Sequence, residues 1–206
     1  MSHSRKFGIF FRLAHTLLLA SLLTVAASPG SSQSLPSAYQ GGLPVAAGGG
    51  ISYWDVDWGH SKMEGATLWI DYFPPRVPRI LRGIGVEAEA RDVSFNRGDK
   101  PGNFRHDTAG GGAIYAWRRF PNFYPYGKFE MGLASIDFTL NSGNPYTHDS
   151  RTYMAPGAGV EYRVYHHLWA RVDYEYQRWG TFIGANPTPQ GLTFGAMYDF
   201  RNGHRR

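Results

Sequence analysis

The run QGLTFGAMYDF, Gln190 to Phe200, decides the fold. At period two, Leu192, Phe194, Ala196, Tyr198 and Phe200 leave one face, and Gly191, Thr193, Gly195, Met197 and Asp199 leave the other. Successive side chains of a strand point to opposite faces, so this run is a strand with one apolar side. That side ends in two aromatics, and only RNGHRR, Arg201 to Arg206, follows. Two settings accommodate such a strand. One is the edge of a soluble sandwich, and the other is the wall of a barrel whose outer positions meet lipid. The rest of the chain must separate them.

The chain has 206 residues, a formal charge of +5 and no cysteine. It therefore lacks both a disulfide framework and a cysteine for lipid attachment. Residues 1–27 read as a secretory signal peptide: Arg5, Lys6 and Arg12, then the apolar LAHTLLLASLLTV, then Val25-Ala26-Ala27 for cleavage. Residues 28–44 are rich in Ser, Pro and Gly and read as a flexible lead-in. One domain remains, residues 45–200, followed by a short basic tail, 201–206. Aromatics at 16% and 26 glycines, with no long apolar run in that domain, suit a wall whose apolar residues occupy every second position. The basic residues are mostly arginine and scattered, so no nucleic-acid surface is expected.

Eight strand-like segments follow, near Val45–Trp54, Met63–Phe73, Arg82–Ser94, Thr108–Trp117, Tyr124–Phe138, Arg151–Val164, Leu168–Trp179 and Gln190–Phe200. Each is long enough to cross a bilayer as a tilted strand, which takes about 9–11 residues. In the third, Ile84, Val86, Ala88 and Ala90 oppose Glu87, Glu89 and Arg91; in the seventh, Val172, Tyr174 and Tyr176 oppose Arg171, Asp173 and Glu175. Long polar connections follow the odd segments up to the seventh, and compact ones such as PPRVPRIL, RRFPNF and YHH follow the second, fourth and sixth. Both chain ends then lie on the short-turn side. Two aromatic girdles are expected. Tyr72, Phe73, Trp117, Phe120, Phe123, Tyr124, Tyr165, Trp169, Tyr198 and Phe200 form the first; Tyr53, Trp54, Trp58, Tyr153, Trp179 and Phe182 form the second.

The pattern Thr193-x-Gly195-x-x-Tyr198-x-Phe200 resembles the C-terminal insertion signal of bacterial outer-membrane barrels. Over about Val45 to Phe200 the chain resembles the small OmpA-like, opacity-type barrels. The resemblance implies an all-β fold, an eight-stranded antiparallel up-and-down transmembrane β-barrel in a bacterial outer membrane. It also implies contact with outer-membrane lipid and lipopolysaccharide, and insertion by barrel-assembly machinery and periplasmic chaperones. A monomer without cofactor or metal is expected. The family's peptidoglycan-binding domain is not expected after Phe200, and the basic tail departs from members that stop at the terminal aromatic.

An eight-stranded barrel has room inside only for side chains. Glu87, Glu89, Arg91, Lys128, Glu130, Glu161, Arg163, Arg171, Asp173 and Glu175 are expected to point inward and pair, because unpaired buried charges are costly. The lumen should then be closed or narrow, and the barrel non-enzymatic, serving envelope integrity or surface interaction. A narrow transport pore and a soluble periplasmic barrel are the alternatives outside chemistry. Within chemistry, His148-x-Ser150 resembles the His-x-Ser pair of outer-membrane lipid A deacylases. Its tempting third member, Glu161, should lie inside the barrel and far from Ser150. His60-Ser61 is a weaker pair, and His166-His167 in a turn lacks zinc spacing. Gly48–Gly50 and Gly110–Gly112 read as strand glycines under neighbouring aromatics. Trp58, His60, Lys62, Arg97, Lys100, Arg105, His106 and His148 are expected to crown the outer loops.

Overall fold

A computed structural model describes residues 43–57, 62–78, 81–95, 104–138, 147–181 and 186–201. The expected signal peptide, nearly all of the expected lead-in and the tail beyond Arg201 lie outside them, as do Trp58, His60, Ser61, Arg97, Lys100 and Phe182. The strands are β1 (Val45–Asp55), β2 (Lys62–Tyr72), β3 (Ile84–Phe95), β4 (Phe104–Ala116), β5 (Phe123–Phe138), β6 (Thr147–Tyr165), β7 (Leu168–Tyr176), β8 (Arg178–Trp179) and β9 (Gln190–Asp199). Neighbours pair antiparallel, β9 returns to β1, and β5 pairs with β6, so the sheet closes on itself. β8 continues β7 past Gln177 and pairs with β6. The wall therefore has eight staves.

The predicted segments match these strands apart from their loop ends. β4 and β6 each begin four residues earlier than expected, at Phe104 and Thr147. There the pairing continues, Asp137 opposite His148 and Phe104 opposite Phe138, but the outward side chains have turned polar. Apolar alternation marks a strand only as far as the apolar band reaches; hydrogen bonding carries it further.

Ile51, Leu68, Val86, Met131, Leu133, Met154 and Phe194 are exposed, all more than half. Charged residues such as Arg171, Glu130 and Glu161 are buried. A continuous exposed apolar band of this extent belongs in lipid rather than water. At the turn end Tyr72, Trp117, Phe120, Phe123, Tyr165, Tyr198 and Phe200 face outward as a girdle, with Tyr124 half-buried. Phe73 and Trp169 instead point inward, and the loop-end girdle loses Trp54, Tyr153 and Trp179 in the same way, leaving Tyr53 outside among its described members. The reason is parity. Trp54 shares a face with Ser52, and Trp169 with Arg171, so neither reaches the lipid side.

Inward glycines make room for these rings. A Cβ at Gly191 would lie 2.6 Å from Trp54, and one at Gly48 would lie 2.6 Å from both Trp69 and Met197. Gly83, at φ 106°, enters β3 in a backbone region that side chains disfavour.

Candidate functional site

The lumen is layered. At the turn end Ala46, Trp69, Trp169 and Met197 pack together, beside a second cluster of Phe73, Ile114, Ala116 and Tyr126. At the loop end Trp54, Val56, Met63 and Val93 form one cluster, and Ala134, Ile136, Tyr153, Ala155 and Trp179 another. Between these layers stand the charges, placed by the inward parity of β2, β3, β5, β6 and β7.

Lys128 is the centre. Its Nζ lies 2.8 Å from Glu89, 3.0 Å from Glu87, 3.0 Å from Glu175, 3.1 Å from Asp173 and 3.7 Å from Glu130. Arg171 grips Glu87 with two nitrogens, at 2.6 and 3.0 Å, and reaches Asp173 at 2.7 Å. Its Nε donates to the Tyr126 hydroxyl at 2.7 Å. Arg91 binds both oxygens of Glu175 at 3.2 Å, pairs with Glu89, and donates to Thr67 at 3.0 Å. Two aromatic layers hold these guanidinium groups: Arg91 stacks 4.0 Å over Trp54, and Arg171 lies 4.8 Å over Trp69. A chain of hydrogen bonds then runs from Trp179 to Gln177 to Glu175, 2.8 Å at each step.

Glu87, Glu89, Arg91, Lys128, Glu130, Arg171, Asp173 and Glu175 thus come together. Glu161 is also buried, yet its Oε1 has no hydrogen-bond partner among the described residues. Arg163 departs from the expectation. β6 bulges between Arg163 and Tyr165 at the mouth of the barrel, and Arg163 lies exposed there, its guanidinium 4.8 Å over Trp169. His106 departs too: it is not on the crown but buried, with its ring centroid 4.8 Å from that of Trp179. Asp71 is a buried member that the sequence reading missed, 3.5 Å from Arg171. Its parity with Thr67 and Trp69 was the available signal.

Among the described residues, seven buried carboxylates (Asp71, Glu87, Glu89, Glu130, Glu161, Asp173 and Glu175) face three buried cations, Arg91, Lys128 and Arg171. Glu87, Glu89 and Asp173 present oxygens within 4.8 Å of one another, as do Glu89, Glu130 and Glu175. That spacing would suit a metal ion, but the Lys128 ammonium stands among both sets and takes that role.

Thr193 of the insertion motif faces the lumen and shares a hydrogen bond of 2.7 Å with Ser52. Gly195 lies against Trp69, while Tyr198 and Phe200 face out. His167 Nδ1 donates to the Asp199 carbonyl at 2.8 Å, a turn contact with no metal-ligand geometry.

At the loop end, outside the barrel, Ser150 Oγ lies 3.2 Å from His148 Nε2. His148 Nδ1 hydrogen-bonds an oxygen of Asp137, with Ser135 Oγ at 3.4 Å. Glu161, eleven residues from Ser150 along β6, is about 36 Å away at the usual rise of a strand. Parity also puts it on the opposite face. Arg105, exposed on the same rim, pairs with Asp92 at 2.9 Å and with Asp107 at 3.1 Å.

A family model described as the outer membrane protein beta-barrel domain matches residues 16–200. No curated protein matches the sequence. Among solved structures, Neisserial surface protein A is similar with a TM-score of 0.59 at 16% identity, covering 76% of this chain and 96% of that one. The attachment invasion locus protein Ail of Yersinia pestis follows with a TM-score of 0.51 at 19% identity, covering 75% and 95%. At these identities the likeness is one of fold.

Proposed function

This chain belongs to the outer-membrane protein β-barrel domain family, and we propose that it is a closed envelope barrel whose lumen is a structural core. In this reading, residues 1–27 export it, barrel-assembly machinery inserts it, and it works as a monomer through its outer surface and extracellular loops. Its partners are outer-membrane lipid and lipopolysaccharide.

The observation that carries the reading is Lys128 among five carboxylates, with aromatic layers above and below. A water-filled path would have to displace these side chains from a barrel whose interior is only wide enough to hold them. Moving the ammonium would strand several buried carboxylates, at several kcal/mol each. The test is a planar-bilayer recording of the folded, purified protein. The closed lumen predicts no unitary steps at neutral pH. Reproducible porin-sized steps would overturn it and favour the narrow transport pore.

A further inference from the structure

The loop end of β5 and β6 carries three outward side chains that the lumen does not use. Asp137 and His148 are cross-strand partners, and Ser150 lies one outward position further along β6, opposite Ser135. We propose that Asp137, His148 and Ser150 form a hydrolytic triad on the outside of the barrel, cleaving an acyl ester of a lipid in the outer leaflet. This goes beyond the closed-lumen reading and rests on a different face of the wall. It also departs from the expectation of a non-enzymatic barrel, which took Glu161 as the third member. Tertiary pairing supplies Asp137 instead.

The order of atoms is what the chemistry requires. With the Nδ1 proton of His148 donated to Asp137, the Nε2 lone pair faces the Ser150 hydroxyl, 3.2 Å away. In that tautomer the ring serves as a general base, and the carboxylate orients it. All three side chains stand on paired strands rather than in a loop, which holds their geometry. From Ser150 toward the membrane, the same outward face continues through Leu133, Met131, Met154 and Phe129, each 46% exposed or more. An acyl chain lying on that track would bring its ester to the serine. Ser135 offers a second hydroxyl there, its Oγ 3.4 Å from His148 Nδ1.

In the first half, Ser150 Oγ attacks the ester carbonyl carbon while its proton passes to His148 Nε2. The bond from that carbon to the alcohol oxygen breaks, and the proton goes to the departing alkoxide, leaving the acyl group on Ser150. Water then attacks the acyl carbon and gives a proton to His148. The bond to Oγ breaks, Ser150 takes the proton back, and a fatty acid leaves.

The experiment uses the full mature chain folded into vesicles, in one arm with lipopolysaccharide and in the other with phosphatidylethanolamine alone. Released fatty acid and the remaining lipid are read by mass spectrometry, and the arm that yields product identifies the lipid. Ser150→Ala and His148→Ala should lose the activity by at least ~10³-fold while keeping heat-dependent gel mobility, which reports a folded barrel. Asp137→Asn, a positioning change, should lower kcat by ~10³–10⁴-fold and leave KM unaltered. A fluorophosphonate probe should label Ser150. Folded protein that releases no fatty acid in either arm would overturn the proposal, as would Ser150→Ala that hydrolyses at the original rate.

Discussion

Lys128 and Glu130 stand two residues apart on one strand face, and their surroundings predict opposite responses to neutralisation. The ammonium touches carboxylates from β3, β5 and β7, so Lys128→Met would leave them facing one another. Removing one partner of a buried ion pair typically costs about 3–5 kcal/mol, and that loss should appear in urea unfolding of the folded protein in detergent. Glu130 is fully buried, its oxygens have no hydrogen-bond partner among the described residues, and the nearest cation is 3.7 Å away. Glu130→Gln keeps the shape and removes a poorly paired charge. It should leave unfolding unchanged or shift it to higher urea. A loss as large as that of Lys128→Met would mean Glu130 is bound more tightly than its distances indicate. Arg105 marks the other limit: it is half exposed where it pairs with Asp92, and Arg105→Ala should cost under ~1 kcal/mol.

Strands here are built as complements, a large ring on one stave above a glycine on the next stave or the next but one. β9 shows it at two positions. Gly191 lies under Trp54, and Gly195, within the insertion motif, lies under Trp69. Gly191→Val should therefore displace Trp54 from its place beneath Arg91 and lower the barrel's melting temperature in detergent, read by tryptophan fluorescence. An unaltered Trp54 environment would refute the packing argument. Much of this was legible in the chain, since Thr193 and Gly195 alternate with Phe194 and Tyr198 on one strand. The particular pairing of Gly191 with Trp54 was not, because those residues are far apart in sequence and meet only through β1–β9 register. The bulge near Tyr165 was equally hidden; Arg163, the last residue in register before it and opposite Trp169, lies exposed at the barrel mouth.

For the whole molecule, a closed wall with every strand paired predicts two gel mobilities, compact when unheated in detergent and slower after boiling. A single mobility, with release from envelopes into the soluble fraction, would contradict an outward apolar face. Sequence alone determined the class, the eight staves and the two faces of each, because alternation, turn residues and the terminal aromatics are local properties of the chain. It also determined most of the ionisable residues that share the inward face, but not Asp71 or His106, and it placed Arg163 there although that residue lies exposed at the mouth. Tertiary structure alone decided which of those charges meet, which aromatics fill the lumen rather than ring it, and that Asp137 stands beside His148. Those outcomes depend on strand register and closure, which bring together residues that no local pattern relates: an ion pair or a triad is a relation across staves, and the hydrogen-bonded wall is what creates it.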